Sequence, residues 1–132
     1  MTLVDSNVLL DIFTKTPDWW EWSLRQIENA ATLGPLLIND VIYAEVSTRY
    51  PSVDAIDAAL DELGVEFAAT PRAALFLAGK IYLQYRAAGG IRTGVLSDFF
   101  IGAHAEVEQI PLLTRDVRRY RSYFPTVSLI AP

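Results

Sequence analysis

Four carboxylates, Asp5, Glu45, Asp98 and Asp116, stand at positions from which side chains far apart in the chain can meet. Asp5 ends a short apolar run, Thr2–Asp5, at the start of the chain. Asp116 follows a second apolar run in Leu112-Leu113-Thr114-Arg115-Asp116. Asp98 lies in the first turn after Ser97, at the head of an apolar helix. Glu45 sits among Ile42, Tyr43, Ala44 and Val46, where an acid without a partner is costly to bury. Four carboxylates converging on one crevice repel one another unless cations intervene. Carboxylates and water suit magnesium or manganese, which also bind substrate phosphates. One or two such ions support phosphodiester hydrolysis. Taken singly, three of these acids have plainer readings. Asp5 can simply end a strand, Asp98 can be a first-turn acid favoured by the helix dipole, and Asp116 can cap the last helix.

For the four to meet, the chain must bring its strand ends to one edge. Thr2–Asp5 reads as a strand and Ser6–Phe13 as a helix capped by Ser6. Pro17 opens a helix to about Leu33, closed by Gly34-Pro35. Leu36–Ile38 is a strand, and Asn39 or Asp40 caps a helix to about Tyr50, before Pro51. Ser52 caps a helix in which Val53, Ile56, Leu60 and Leu63 recur at helical spacing and Gly64 supplies the stop. Val65–Ala68 is a strand, Thr70-Pro71 begins a long helix to about Arg86, and a loop runs to Val95. Ser97 caps a helix through Glu108, Ile110–Leu113 is a strand, Asp116–Phe124 a helix and Val127–Ile130 the last strand. This alternation predicts one α/β domain over residues 1–132 with a parallel sheet covered on both faces. In such sheets ligands gather beyond the carboxyl ends of the strands, where strand order reverses. If the first and fourth strands are neighbours there, Asp5 and Asp116 face one crevice.

Composition narrows the chemistry. The 132 residues are 52% hydrophobic and 20% charged, a globular balance. No apolar run approaches the ~20 residues that span a bilayer. The acidic start without a basic n-region predicts no signal peptide, and a cytoplasmic location is the expectation. The absence of cysteine removes thiolate zinc sites and thiol nucleophiles, and the single histidine, His104, removes a multi-histidine site. His104 lies about 600° of helical rotation past Asp98 and reads as packed, with no part in chemistry. The net charge of −5 argues against a broad basic nucleic-acid surface, though not against phosphate binding through carboxylate-held metal.

Four segments in order resemble the PIN-domain family, and within it the VapC-type toxins. They are Val4-Asp5-Ser6-Asn7-Val8-Leu9-Leu10-Asp11; Ile42-Tyr43-Ala44-Glu45-Val46; Leu96-Ser97-Asp98-Phe99-Phe100-Ile101-Gly102-Ala103-His104-Ala105; and Leu112-Leu113-Thr114-Arg115-Asp116, with Tyr120 and Phe124-Pro125 after it. The resemblance spans essentially the whole chain. It implies a three-layer α/β/α sandwich with a five-stranded parallel sheet of order 3-2-1-4-5. It also implies a magnesium- or manganese-dependent endoribonuclease, usually a homodimer, held inactive by a cognate antitoxin. On it, Asp5, Glu45, Asp98 and Asp116 are the metal-site acids. Asn7 and Thr114 are supporting residues that orient an acid or a water on the metal. Some relatives carry a further acid after Asp116, where this chain has Val117-Arg118-Arg119-Tyr120, so the number of metals stays open.

Arginine supplies the candidate RNA contacts. Arg115 is nearest Asp116, and Arg86 and Arg92 flank Gly89-Gly90 as an alternative phosphate clamp. Arg118 and Arg121 read as a solvated helix face. Trp20, Leu24, Ile27 and Ala31 form one apolar stripe, leaving Trp22 opposite it and Trp19 at its flank, as a partner surface or as rim residues covered by a loop. Two other functions compete. A non-catalytic PIN-like binding or regulatory domain would be expected to have lost acids. A receiver or haloacid-dehalogenase phosphotransfer domain fails because position 7 is Asn and the only lysines are Lys15 and Lys80.

Overall fold

The computed structural model describes residues 1–92 and 94–132; the expected loop up to Val95 therefore includes one position, Thr93, outside the described residues. The strands are β1 (Thr2–Val4), β2 (Leu36–Ile38), β3 (Val65–Phe67), β4 (Leu112–Leu113) and β5 (Leu129–Ile130). The helices are α1 (Ser6–Phe13), α2 (Trp20–Ala31), α3 (Asp40–Ser47), α4 (Val53–Glu62), α5 (Arg72–Ala87), α6 (Leu96–Glu108) and α7 (Arg118–Tyr123). All strand pairs are parallel, and the sheet order is β3-β2-β1-β4-β5, with helices flanking it. Four of the strands are shorter than the runs read from the sequence, and only Leu36–Ile38 keeps its bounds.

β1 is central and buried along its length, as a strand covered on both faces must be. Leu3 and Val4 pair with Leu112 and Leu113 of β4, while Thr2 and Leu3 pair with Leu36 and Leu37 of β2. From β1 the chain winds to β2 and β3 on one side, and β4 and β5 lie on the other. The reversal therefore falls between β1 and β4. Asp5, next after β1, donates its backbone N–H to the Leu113 carbonyl at 2.9 Å, so the first acid is fixed at the reversal by the sheet itself.

Caps account for most of the differences from the sequence reading. Asp5, not Ser6, caps α1, its Oδ1 accepting from the Ser6 N–H at 2.8 Å. Asn39 caps α3 and Ser52 caps α4, and Gly64 follows α4 with φ +72°, as its stop requires. Ser97 does not cap α6: the helix begins at Leu96, and the Ser97 hydroxyl turns back to the Gly94 carbonyl. Asp116 lies ahead of α7, accepting from the Arg118 N–H.

The second helix departs most from expectation. It begins at Trp20 because Lys15 (φ +49°) and Asp18 (φ +70°) break the backbone before it. Its buried seam is Ser23, Ile27 and Ala30, and Ala31 is exposed. A polar contact turns the helix: the Ser23 hydroxyl donates to the buried Asp11 carboxylate at 2.9 Å. Trp22 is half-buried against the core, and Trp19 meets it edge-to-face at 5.9 Å. Both indoles stay partly exposed.

Gly102 of α6 faces the ring of Phe124, which is buried just past α7. A methyl group at position 102 would overlap that ring. Gly102→Ala is expected to destabilise the fold by about 1–3 kcal/mol, despite the better helix propensity of alanine. Thermal melting checks this; an unchanged or higher melting temperature would show that the α6–Phe124 contact is looser than described.

Candidate active site

The site is built around Asp5, which is 4% exposed. Its Oδ1 caps α1. Its Oδ2 accepts from the Thr114 hydroxyl at 2.8 Å, the Tyr120 hydroxyl at 2.9 Å and, at 3.5 Å, the Asn7 amide. Asn7 Nδ2 also lies 3.3 Å from Thr114 Oγ1, and its Oδ1 accepts the Arg115 N–H at 3.1 Å. The two residues read from the sequence as supporting thus meet beside Asp5 and clamp the head of α1 to the segment after β4. Thr114 is fully buried and also receives the Asp116 N–H at 3.2 Å. Burial nevertheless outweighs these hydrogen bonds and raises the Asp5 pKa.

The other acids stand around this one. Glu45, half-buried on α3, accepts from the Ser6 hydroxyl at 3.1 Å, so Ser6 bridges Asp5 and Glu45. Its pKa is raised by burial first, then by the negative charges of Asp5 and Asp98. Asp98, in the first turn of α6, is pushed up to about 6 by burial and by repulsion from Asp5, against the pull of Arg119, whose Nη1 lies 3.1 Å from Oδ2. Asp116 also presses on Asp98 electrostatically, from a half-exposed position with Arg118 Nε at 3.8 Å. Electrostatic coupling therefore links all four predicted acids, which range from buried Asp5 to half-exposed Asp116. Among the described residues, however, no three metal-ligating side chains form a ready-made cage. The donor set is oxygen only, of the kind hard divalent cations take.

The family profile of the PIN domain matches residues 2–124. The chain belongs to the PIN-domain family. No curated protein is recognisably related by sequence. The fold is shared with solved structures of low identity. A chain of VapBC2 from Rickettsia felis, solved bound to a DNA fragment from their promoter, superposes with a TM-score of 0.75 at 18% identity, covering 99% of this chain and 98% of that one. DNA-bound VapBC from Salmonella typhimurium gives 0.71 at 16%, covering 98% and 96%. A toxin–antitoxin complex from Klebsiella pneumoniae gives 0.63 at 20%, covering 96% and 95%.

The arginines of this PIN domain are distributed differently from the sequence reading. Arg115 forms a two-pronged pair with Asp11, Nε–Oδ2 and Nη2–Oδ1 both 2.8 Å, and stacks over Trp19 with Cζ 4.9 Å from the ring centre. Its guanidinium is thus spent on holding α1 to the segment after β4. Arg86 is exposed near the end of α5, in a shallow apolar groove with Leu75, Phe76 and Leu83. Arg92 lines a cleft with Arg118 and Arg119, so Arg86 and Arg92 are not placed in one clamp. Arg119, one of the basic cluster Arg115, Arg118, Arg119 and Arg121, is the member that meets Asp98. Tyr120 was legible only as part of the resemblance, since a tyrosine at helical spacing reads as core. His104 is 2% exposed, its Nδ1 lying 3.1 Å from the Asn39 amide nitrogen. Asn39 Oδ1 is committed to the Ile42 N–H, so the His104 nitrogen accepts, and burial lowers the pKa. The histidine braces the α3 cap, as a packed residue.

The raised acids have a thermodynamic consequence. An unfolded Asp98 loses its proton near the usual 3.8, whereas the folded one holds it to about 6. Between these values the folded state binds more protons than the unfolded state, so without metal the Asp98 contribution to stability falls as pH rises through about 4 to 6. Asp98→Asn removes that loss. In EDTA, the melting temperature of the variant relative to wild type is expected to rise by about 3–8 °C between pH 4 and pH 7. A difference independent of pH would mean that Asp98 is not strained.

Proposed function

We propose that this PIN domain is a divalent-metal-dependent endoribonuclease in which Asp5, Glu45, Asp98 and Asp116 hold magnesium or manganese, and that it is the toxin of a toxin–antitoxin pair. The observation that carries the reading is the shared strain of the acids. Asp5, Glu45 and Asp98 are each driven away from ionisation, and Glu45 and Asp98 in part by their neighbours' charge. A divalent cation relieves that repulsion, and an all-oxygen site suits magnesium or manganese better than softer metals.

When bound, the ion supplies activation of water and neutralisation of charge on the leaving oxygen. The chain's own residues do the positioning. Thr114, Tyr120 and Asn7 direct protons at Asp5 Oδ2, while Ser6 donates to Oδ1, so the carboxylate is held in one orientation. Ser6 holds Glu45 through its Oε1. Arg119 holds Asp98 at the rim, and the Asn7–Arg115 backbone bond fixes the segment carrying Asp116. A bound cation would be held by these four carboxylates, whose charges already act on one another across the site. Substrate class, the cytoplasmic setting, the antitoxin partner and a homodimeric state rest on the family resemblance, supported by a structural neighbour that is a toxin–antitoxin complex. A non-catalytic binding domain finds less support, because the sequence carries all four acids.

Purified protein freed of any partner, incubated with labelled structured RNA, tests this directly. Cutting is expected with magnesium or manganese, lost in EDTA and reduced about a hundredfold or more by Glu45→Gln or Asp98→Asn. Cutting that survives the substitutions, or absence of cutting across messenger, transfer and ribosomal RNA, would contradict the reading.

A further inference from the structure

Three arginines converge beside the acids in a chain whose net charge is −5. Arg92, Arg118 and Arg119 line one open cleft of about 200 Å³ with Ser122 and Tyr123. That is smaller than the roughly 300–1,000 Å³ of a pocket for a drug-sized ligand, and large enough for a phosphate group. The positive charge there is largely unspent. Arg92 has no carboxylate partner among the described residues. Arg118 is 86% exposed and only loosely paired with Asp116 at 3.8 Å. Arg119 gives one N–H to Asp98, and a guanidinium has five.

The cleft is also held in shape from beneath. Tyr85 accepts the Arg92 backbone N–H on its hydroxyl at 3.1 Å, anchoring the segment that carries this arginine. The same ring packs against Phe99 and Tyr123 with centroids 5.7 and 6.2 Å away, and Phe99 and Tyr123 are 5.1 Å apart. Gly90 lies so close to the Tyr85 ring that a side chain there would collide with it. One aromatic cluster therefore supports both walls of the cleft, the Arg92 segment and α7. Arg119 forms the boundary, facing Asp98 on one side and the cleft on the other.

We propose that Arg92, Arg118 and Arg119 form a phosphate subsite that holds the RNA backbone next to the phosphodiester at the carboxylates. This deepens the ribonuclease reading and rests on it. It replaces Arg115 and Arg86 as the backbone contacts, and it explains how an acidic protein holds a polyanion: the carboxylates need a cation at one phosphate, and the arginines take the neighbouring one. Arginine suits this role because its planar fork matches two phosphate oxygens. Contacts of this kind position the strand and carry no sequence information.

Anisotropy of a fluorescein-labelled single-stranded RNA in EDTA, from 50 to 200 mM salt, separates this subsite from the cutting chemistry. R92Q and R118Q are each expected to weaken binding about three- to tenfold and to lower the salt slope by about 0.7. R121Q, on the same helix but outside the cleft, is the control and is expected to change little. Equal effects of all three substitutions would mean diffuse attraction, and no effect of R92Q or R118Q, or no saturable binding by wild type, would overturn the subsite. Metal-dependent cutting by a protein whose R92Q variant binds RNA normally would reject the subsite and leave the ribonuclease reading standing. The expected losses in a protein that cuts no RNA would do the reverse.

Discussion

A carboxylate buried at the end of the central strand organises this molecule. Asp5 is bonded through its backbone to β4, caps α1 with one oxygen, and receives Thr114 from beyond β4 and Tyr120 from α7 with the other. Four elements thus meet at a group that burial makes reluctant to carry charge. Such a group is a poor device for stability alone, since an apolar residue would fill the space without the desolvation cost. Its hydrogen bonds hold the carboxylate in one orientation, which is what a functional group needs.

Charge in the neighbourhood is sorted by role. The Asp11–Arg115 pair, with Ser23 and Trp19 around it, braces the segment after β4, with Asp11 buried and Arg115 partly exposed. A few residues on, Arg118 and Arg119 stand at the open rim, and Arg119 is the link between the acids and the arginine cleft. Adjacent arginines in one sequence run thus serve packing, counter-charge and a polar cleft. The side of the turn or helix each occupies decides which.

The sheet was legible because its signal is redundant: every strand is a short apolar run between helix caps and stops, and the four acids fall at strand ends or first and second helical turns. Positions of Asn39, Ser52 and Gly64 followed from the same chemistry. What failed to show was decided by contacts between distant residues. The seam of α2 turns on Ser23 meeting Asp11, twelve residues away, which an apolar-stripe reading cannot see. Arg115 was a natural phosphate contact by its place next to Asp116, until Asp11 claimed its guanidinium. Tyr120 reads as core by spacing, and only its hydroxyl, aimed at Asp5, makes it part of the site.

The central claim is that Asp5 is the inner ligand of a divalent cation and not merely a buried hub. Calorimetric titration of manganese into wild-type protein and Asp5→Asn at neutral pH, with circular dichroism to check that the variant folds, addresses it most directly. The account predicts saturable uptake by wild type and at least about tenfold weaker uptake by the folded variant. Equal affinity in the two, or no uptake by wild type, would contradict it.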